Sequence, residues 1–124
     1  MNLADITTVK SILSQPQKIV IVPHKNPDGD AMGACLGLCL FLKEMGQTAH
    51  VISPNDYPKF LKWMPGNDEV INFEWENQEA KKLLDEATVI FTLDFNELSR
   101  TGQMESVLKE REVDFIMIDH HQQP

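Results

Sequence analysis

IVIVPHKNPDGDAMGACLGLCLFL, residues 19–42, sets His24, Asn26, Asp28 and Asp30 between two apolar runs that both favour burial. Carboxylates are costly in apolar surroundings unless something neutralises them. The economical solution is a metal site at the end of a buried strand, with further ligands supplied from elsewhere in the chain. KIVIV (18–22) is β-branched and uninterrupted, the pattern of a strand buried on both faces. Residues 31–45 are apolar nearly all round and stop at Gly46, a good residue just past a helix end. The pattern predicts a buried helix, with Gly33 and Gly37 letting it approach the sheet closely.

Outward from this stretch the chain alternates. Ile6, Val9, Ile12 and Leu13 have helical spacing within 3–13, which ends near Gln15-Pro16. TAHVIS (48–53), a short segment at 69–73, ATVIFTLD (87–94) and VDFIMID (113–119) read as strands. FLKWMPGNDEVINF (60–73) holds a short helical turn and a Pro65-Gly66 turn before its strand. Asn77 is the expected cap of a helix running to about Glu86, and another helix is expected near 103–111. Strands alternating with helices predict an α/β fold: a parallel β-sheet with helices on both faces. Such sheets bind ligands at the carboxyl ends of their strands. His24, Asp28 and Asp30 follow the first strand, Asp94 ends the one starting at Ala87, and Asp119, His120 and His121 end the last. Three strands thus deliver acids and imidazoles to one rim.

Four carboxylates crowded there would repel one another strongly, and one or two divalent ions would make the arrangement stable. Oxygen ligands with a minority of imidazoles suit Mn²⁺, and less well Mg²⁺, Fe²⁺ or Zn²⁺; the lack of thiolate ligands weakens the zinc reading. Two metals roughly 3.5–4 Å apart can clamp a phosphate, activate a water and offset charge on the leaving oxygen. Any one of these aspartates alone reads as a turn former or helix cap, and Asp28-Gly29 as a turn. The joint pattern carries the inference. His50, inside a strand pattern without an acidic neighbour, reads as an ordinary partly buried histidine. Trp63, Phe73 and Trp75 read as packing residues rather than base-stacking ones. Gly29, Gly33 and Gly37 form neither a dinucleotide fingerprint nor a P-loop, and no GxSxG elbow occurs.

The totals narrow the classes further. The 124 residues suit one domain, and an apolar fraction of 42% allows a real core. The formal charge of -8, from 11 basic and 19 acidic residues, disfavours tracking along long nucleic acid or binding an anionic membrane. Cys35 and Cys39, four apart in an apolar segment, read as buried thiols of a cytosolic protein, so the expected location is cytoplasmic. The N-terminus carries no apolar signal region, and the longest apolar run is too short to span a bilayer.

HKNPDGDAMGA (24–34), LDFNELSRTG (93–102) and IDHH (118–121) resemble, in order and spacing, the first three motifs of the DHH phosphoesterase superfamily. The Asp-Gly-Asp-Ala form is similar to the branch holding the nanoRNase/pAp phosphatases, RecJ-type exonucleases and cyclic-dinucleotide phosphodiesterases, and FLKWMPGNDEV is similar to a Leu-Pro-Gly stretch of the nanoRNases. The resemblance implies that His24 and Asp28 hold one Mn²⁺, Asp30 and His120 the other, and that Asp94 bridges the two. It implies that Asp119 orients a histidine, that His121 and Asn26 lie near the phosphate, and that Arg100 lies on the rim. The implied activity is Mn²⁺-dependent hydrolysis of short oligoribonucleotides or 3′-phosphoadenosine 5′-phosphate by a metal-activated water. A cyclic-dinucleotide phosphodiesterase, a RecJ-like single-strand exonuclease and an inactive metal-binding remnant are the alternatives. Ala34 stands where the family commonly has serine. The chain stops three residues after His121. The resemblance therefore implies that the rest of the DHH domain and a C-terminal substrate-binding domain are absent, and that this stretch alone does not turn over substrate.

Overall fold

The structure is a computed structural model, and it describes residues 6–24, 27, 29–55, 69–93, 108 and 114–118. Five strands form one sheet: β1 (Lys18–Val22), β2 (Thr48–Ser53), β3 (Ile71–Asn72), β4 (Val89–Leu93) and β5 (Asp114–Ile118). Their order is β3-β2-β1-β4-β5, and every pairing is parallel. The helices are α1 (Ile6–Leu13), α2 (Gly29–Glu44) and α3 (Asn77–Glu86).

Alternation along the strands builds two apolar layers. Ile19, Ile21, Ala49, Val51, Val89, Phe91 and Leu93 pack with Met32, Cys35, Leu36, Cys39 and Leu42 of α2, and Ile12 and Leu13 of α1 join them. On the other face Val20, Val22, Ile52 and Ile90 pack with Ala80 and Leu84 of α3, with Phe73 and with Leu108. The expected parallel α/β sheet with helices on both faces is what the chain forms. β3 is shorter than the expected 69–73 segment. The helix expected at 103–111 and the turns expected within 60–68 lie outside the described residues, Leu108 excepted.

Two local expectations change. α2 is not buried all round. Its 3.6-residue period turns Ala31, Met32, Cys35, Leu36, Cys39 and Leu42 inward. The opposite face exposes Gly33, Ala34, Gly37, Leu40 and Phe41. Gly33 and Gly37 therefore do not serve close approach to the sheet: a Cβ on either would meet nothing within 4 Å. Asn77 is the first residue of α3 rather than its cap. Glu76 takes the cap position without a side-chain bond, and Asn77 Nδ2 donates to the Phe73 carbonyl (3.4 Å).

The end of α2 behaves as its sequence suggests. Gly46 has φ +87°, its N–H donates to the Lys43 carbonyl (3.0 Å), and the Gln47 N–H donates to the Leu42 carbonyl (3.0 Å). These are the paired bonds of a Schellman ending. The Gln47 side chain then clasps the bottom of the sheet. Its Oε1 accepts the Gln17 N–H (2.7 Å), and its Nε2 donates to the carbonyls of Leu13 (3.1 Å) and Gln15 (3.2 Å). Thr88 extends the clasp to β4, its Oγ1 accepting the Lys18 N–H (2.9 Å). Cys35 and Cys39 are buried thiols that form no disulfide, and burial raises the pKa of Cys39.

Candidate active site

The sheet order decides where a ligand can sit. From β1 the chain steps through β2 to β3 on one side, then crosses to place β4 and β5 on the other. Ligands of open α/β sheets occupy the crevice outside the carboxyl ends of the strands where the order reverses. Here that point lies between β1 and β4.

The register brings the strand ends that precede the motif segments to one level. Val22 pairs with Thr92 across β1 and β4, and Leu93 pairs with Ile118 across β4 and β5. In the chain, His24 and Asp94 each stand two residues beyond the Val22–Thr92 pair. Asp94 and Asp119 each stand one residue beyond the Leu93–Ile118 pair. Neighbouring strands lie roughly 4.8 Å apart, so the three strand ends span about 10 Å.

Of the candidate residues, two are described. His24 is half-buried just past the end of β1. Asp30 is exposed in the first turn of α2, where a carboxylate complements the positive end of the helix. Asn26, Asp28, Asp94, Arg100, Asp119, His120 and His121 lie outside the described residues. Among the described residues no group of three or more His, Cys, Asp or Glu side chains is placed to hold a metal.

One buried group near the rim was not singled out from the sequence. Thr92 has no exposed surface, and among the described residues its hydroxyl has no hydrogen-bond partner. An unsatisfied buried hydroxyl costs about 1–3 kcal/mol. Its one sequence signal is being the polar residue of VIFTL, two positions before Asp94. At the far edge of the rim Asn72 is also buried. Its Oδ1 accepts the Glu74 N–H (2.9 Å), which turns the chain out of β3 toward α3, while its Nδ2 has no partner among the described residues.

The other aromatic and histidine expectations divide. Phe73 is core, whereas Trp75 is 68% exposed. His50 is half-buried, as its strand position suggests, but it has an acidic neighbour in space: its charge helps lower the pKa of Glu69, after the larger effects of Lys43. A hollow of about 90 Å³ bordered by Lys18, Thr48, His50, Leu83 and Glu86 lies at the amino ends of β1 and β2, the end away from the motifs.

The model of the DHH family, N-terminal domain, matches residues 18–124. The chain belongs to the DHH family. The DHH match takes in all the strands and every motif segment quoted above. Among DHH relatives, the bifunctional oligoribonuclease and PAP phosphatase NrnA of Thermus thermophilus is 37% identical over 103 residues, covering 83% of this chain and 28% of that protein. The protein of the same name from Mycoplasma genitalium is 32% identical over 124 residues, covering 98% of this chain and 36% of that protein. The crystal structure of an exopolyphosphatase-related protein from Bacteroides fragilis superposes with a TM-score of 0.90 at 43% identity, covering 96% of this chain and 35% of that one. This DHH chain therefore spans about a third of the length of the relatives it matches. None of the described helices is long and apolar enough to cross a membrane.

Proposed function

We propose that the protein is a Mn²⁺-dependent phosphohydrolase acting on short oligoribonucleotides, on 3′-phosphoadenosine 5′-phosphate, or on both. The observation that carries the reading is the sheet order: β1, β4 and β5 are neighbours, and His24, Asp94 and Asp119 stand within two residues of their carboxyl ends. The names of the two relatives supply the substrate class.

The residues fit divalent ions. The set combines several carboxylates with a minority of imidazoles, the donor chemistry of Mn²⁺ or Mg²⁺. At the end of β4 the buried Thr92 hydroxyl has no hydrogen-bond partner among the described residues. In this reading His24 and Asp28 hold one ion, Asp30 and His120 the other, and Asp94 both. When bound, the pair of ions supplies activation of a water nucleophile and neutralisation of the leaving oxygen. The chain's own groups do the rest. Asp119 orients a neighbouring imidazole, which fixes its tautomer. His121 and Asn26 face the phosphate and align it, and Arg100 neutralises charge on the rim. A net charge of -8 over these 124 residues argues against tracking along long strands.

The test is a competition at physiological salt, run on a protein of the relatives' full length, because these 124 residues alone are not expected to turn over substrate. A labelled diribonucleotide and 3′-phosphoadenosine 5′-phosphate should be hydrolysed in preference to a long single strand. Faster, processive degradation of the long strand would establish the RecJ-like alternative instead, and a clear preference for cyclic dinucleotides would establish the phosphodiesterase. In the same assay Asp94→Ala should abolish Mn²⁺-dependent turnover without unfolding the protein. Near-normal turnover in that variant sinks the metal assignment.

A further inference from the structure

Trp75 is the most exposed large apolar side chain among the described residues, at 68%. An aromatic ring stabilises a fold mainly by burying its faces, and most of this one stays in water. Phe73, two residues earlier, fills the place in the core. The backbone fixes where the tryptophan stands. The N–H groups of Trp75 and Glu76 both donate to the Asn72 carbonyl (3.2 and 2.8 Å), which folds the chain back on the last residue of β3. Trp75 is thereby kept at the carboxyl end of the sheet, the end where the candidate active site lies.

Trp75 borders an open hollow of about 610 Å³, shared with Glu76, Asn77, Gln78, Glu79 and Lys82. That volume suits a small ligand, and the lining is selective about its chemistry. Two carboxylates against one ammonium disfavour a phosphate chain, whereas a neutral aromatic ring meets no such penalty. The exposed Gln78 amide offers a donor and an acceptor to the edge of such a ring. The hollow therefore fits a nucleobase better than a phosphate. β3 lies two and a half strand spacings from the switch point between β1 and β4, about 12 Å. A base held there belongs to a nucleotide further along the strand than the one whose phosphate reacts. We infer that Trp75 is a base-stacking subsite for oligonucleotide substrates, taking a base beyond the reacting nucleotide. This rests on the phosphohydrolase reading proposed above. Every base has a π-face, so stacking of this kind accepts any sequence.

The experiment compares Trp75→Ala and Trp75→Phe with wild type in a protein of the relatives' full length. KM and kcat are measured on a tetraribonucleotide and on 3′-phosphoadenosine 5′-phosphate, with thermal unfolding alongside. Trp75→Ala should raise the tetraribonucleotide KM about 5–100-fold, the loss of one stacked base. Its kcat should change little, because stacking remote from the reaction acts on ground and transition states alike. The KM for 3′-phosphoadenosine 5′-phosphate, which has no further base to stack, should move far less. Trp75→Phe, which keeps a ring, should restore most of the affinity. The difference between variants should persist at high salt, because no ion pair carries it. An unchanged tetraribonucleotide KM in Trp75→Ala overturns the inference and leaves the phosphohydrolase reading standing. An equal rise for both substrates, or a fall in melting temperature that accounts for the rise, also overturns it, by showing that the ring only packs against the rest of the longer protein. Failure of the wild type to hydrolyse either substrate overturns the phosphohydrolase reading itself, and this inference with it.

Discussion

Replacing Gly33 and Gly37 together with alanine should stabilise the protein. Both lie in the interior of α2 on its exposed face, and a methyl group at either meets nothing within 4 Å. No steric term opposes the substitution, so the helix preference acts alone. Glycine in an exposed helix interior is about 0.8–1.0 kcal/mol less favourable than alanine. The pair should therefore gain roughly 1.5–2 kcal/mol, most of it from the lower conformational entropy of the unfolded chain. In urea, with a slope of about 1–3 kcal/mol per molar, the midpoint should rise by roughly 1 M with the slope unchanged. Gly46→Ala is the internal control. Its surroundings are equally open, but φ is +87°, so alanine there should cost about 1–2 kcal/mol. The same atom is added at each position with opposite sign, and backbone conformation is the only difference. A double variant less stable than wild type would refute the reasoning. It would mean that the glycines let α2 press on the sheet, which is what the apolar run suggests when read without the structure.

Gln47→Ala should cost about 1–3 kcal/mol in the same urea assay, because it removes the bonds to Gln17 and Leu13 that water replaces poorly, at roughly 0.5–1.5 kcal/mol each; an unchanged midpoint would show that the clasp contributes nothing. The Lys43–Glu69 pair (2.6 Å) makes stability depend on pH: the hydrogen bond from Lys43, then its charge, holds the Glu69 carboxyl below its ordinary value. A depressed carboxylate stabilises above its unfolded value, near pH 4.3, and loses that contribution as pH falls through the folded value. The difference in urea midpoint between wild type and Glu69→Gln should therefore be present at pH 7 and vanish on acidification below the carboxylate range; a difference that persists there contradicts the assignment.

The strands and their chemistry were legible in the residues themselves. KIVIV and ATVIFTLD declare strands buried on both faces because their apolar residues run together instead of alternating with charged ones. The clusters after residues 22, 93 and 118 are legible because carboxylates and imidazoles so placed need a common neutralising partner. The motifs around His24, Asp94 and Asp119 carry the family as well, since they recur in fixed order and spacing. Asn77 was misplaced by one residue because Glu76 takes the cap position through backbone geometry alone, with no side-chain bond that composition would record.

Other features depend on what a residue meets across space. An apolar residue in α2 reads the same whether it faces the sheet or solvent, so the orientation of Gly33 and Gly37 waits on how the helix rotates against β1 and β2. His50 has no acidic neighbour in the chain and acquires Glu69 only because the segment before β3 returns beside β2. The order β3-β2-β1-β4-β5 likewise follows from which strands bury their side chains against which helices. Local hydrophobic pattern determines that a segment is a strand. Only the summed packing of both faces determines which strand becomes its neighbour, and therefore that the reversal falls between β1 and β4.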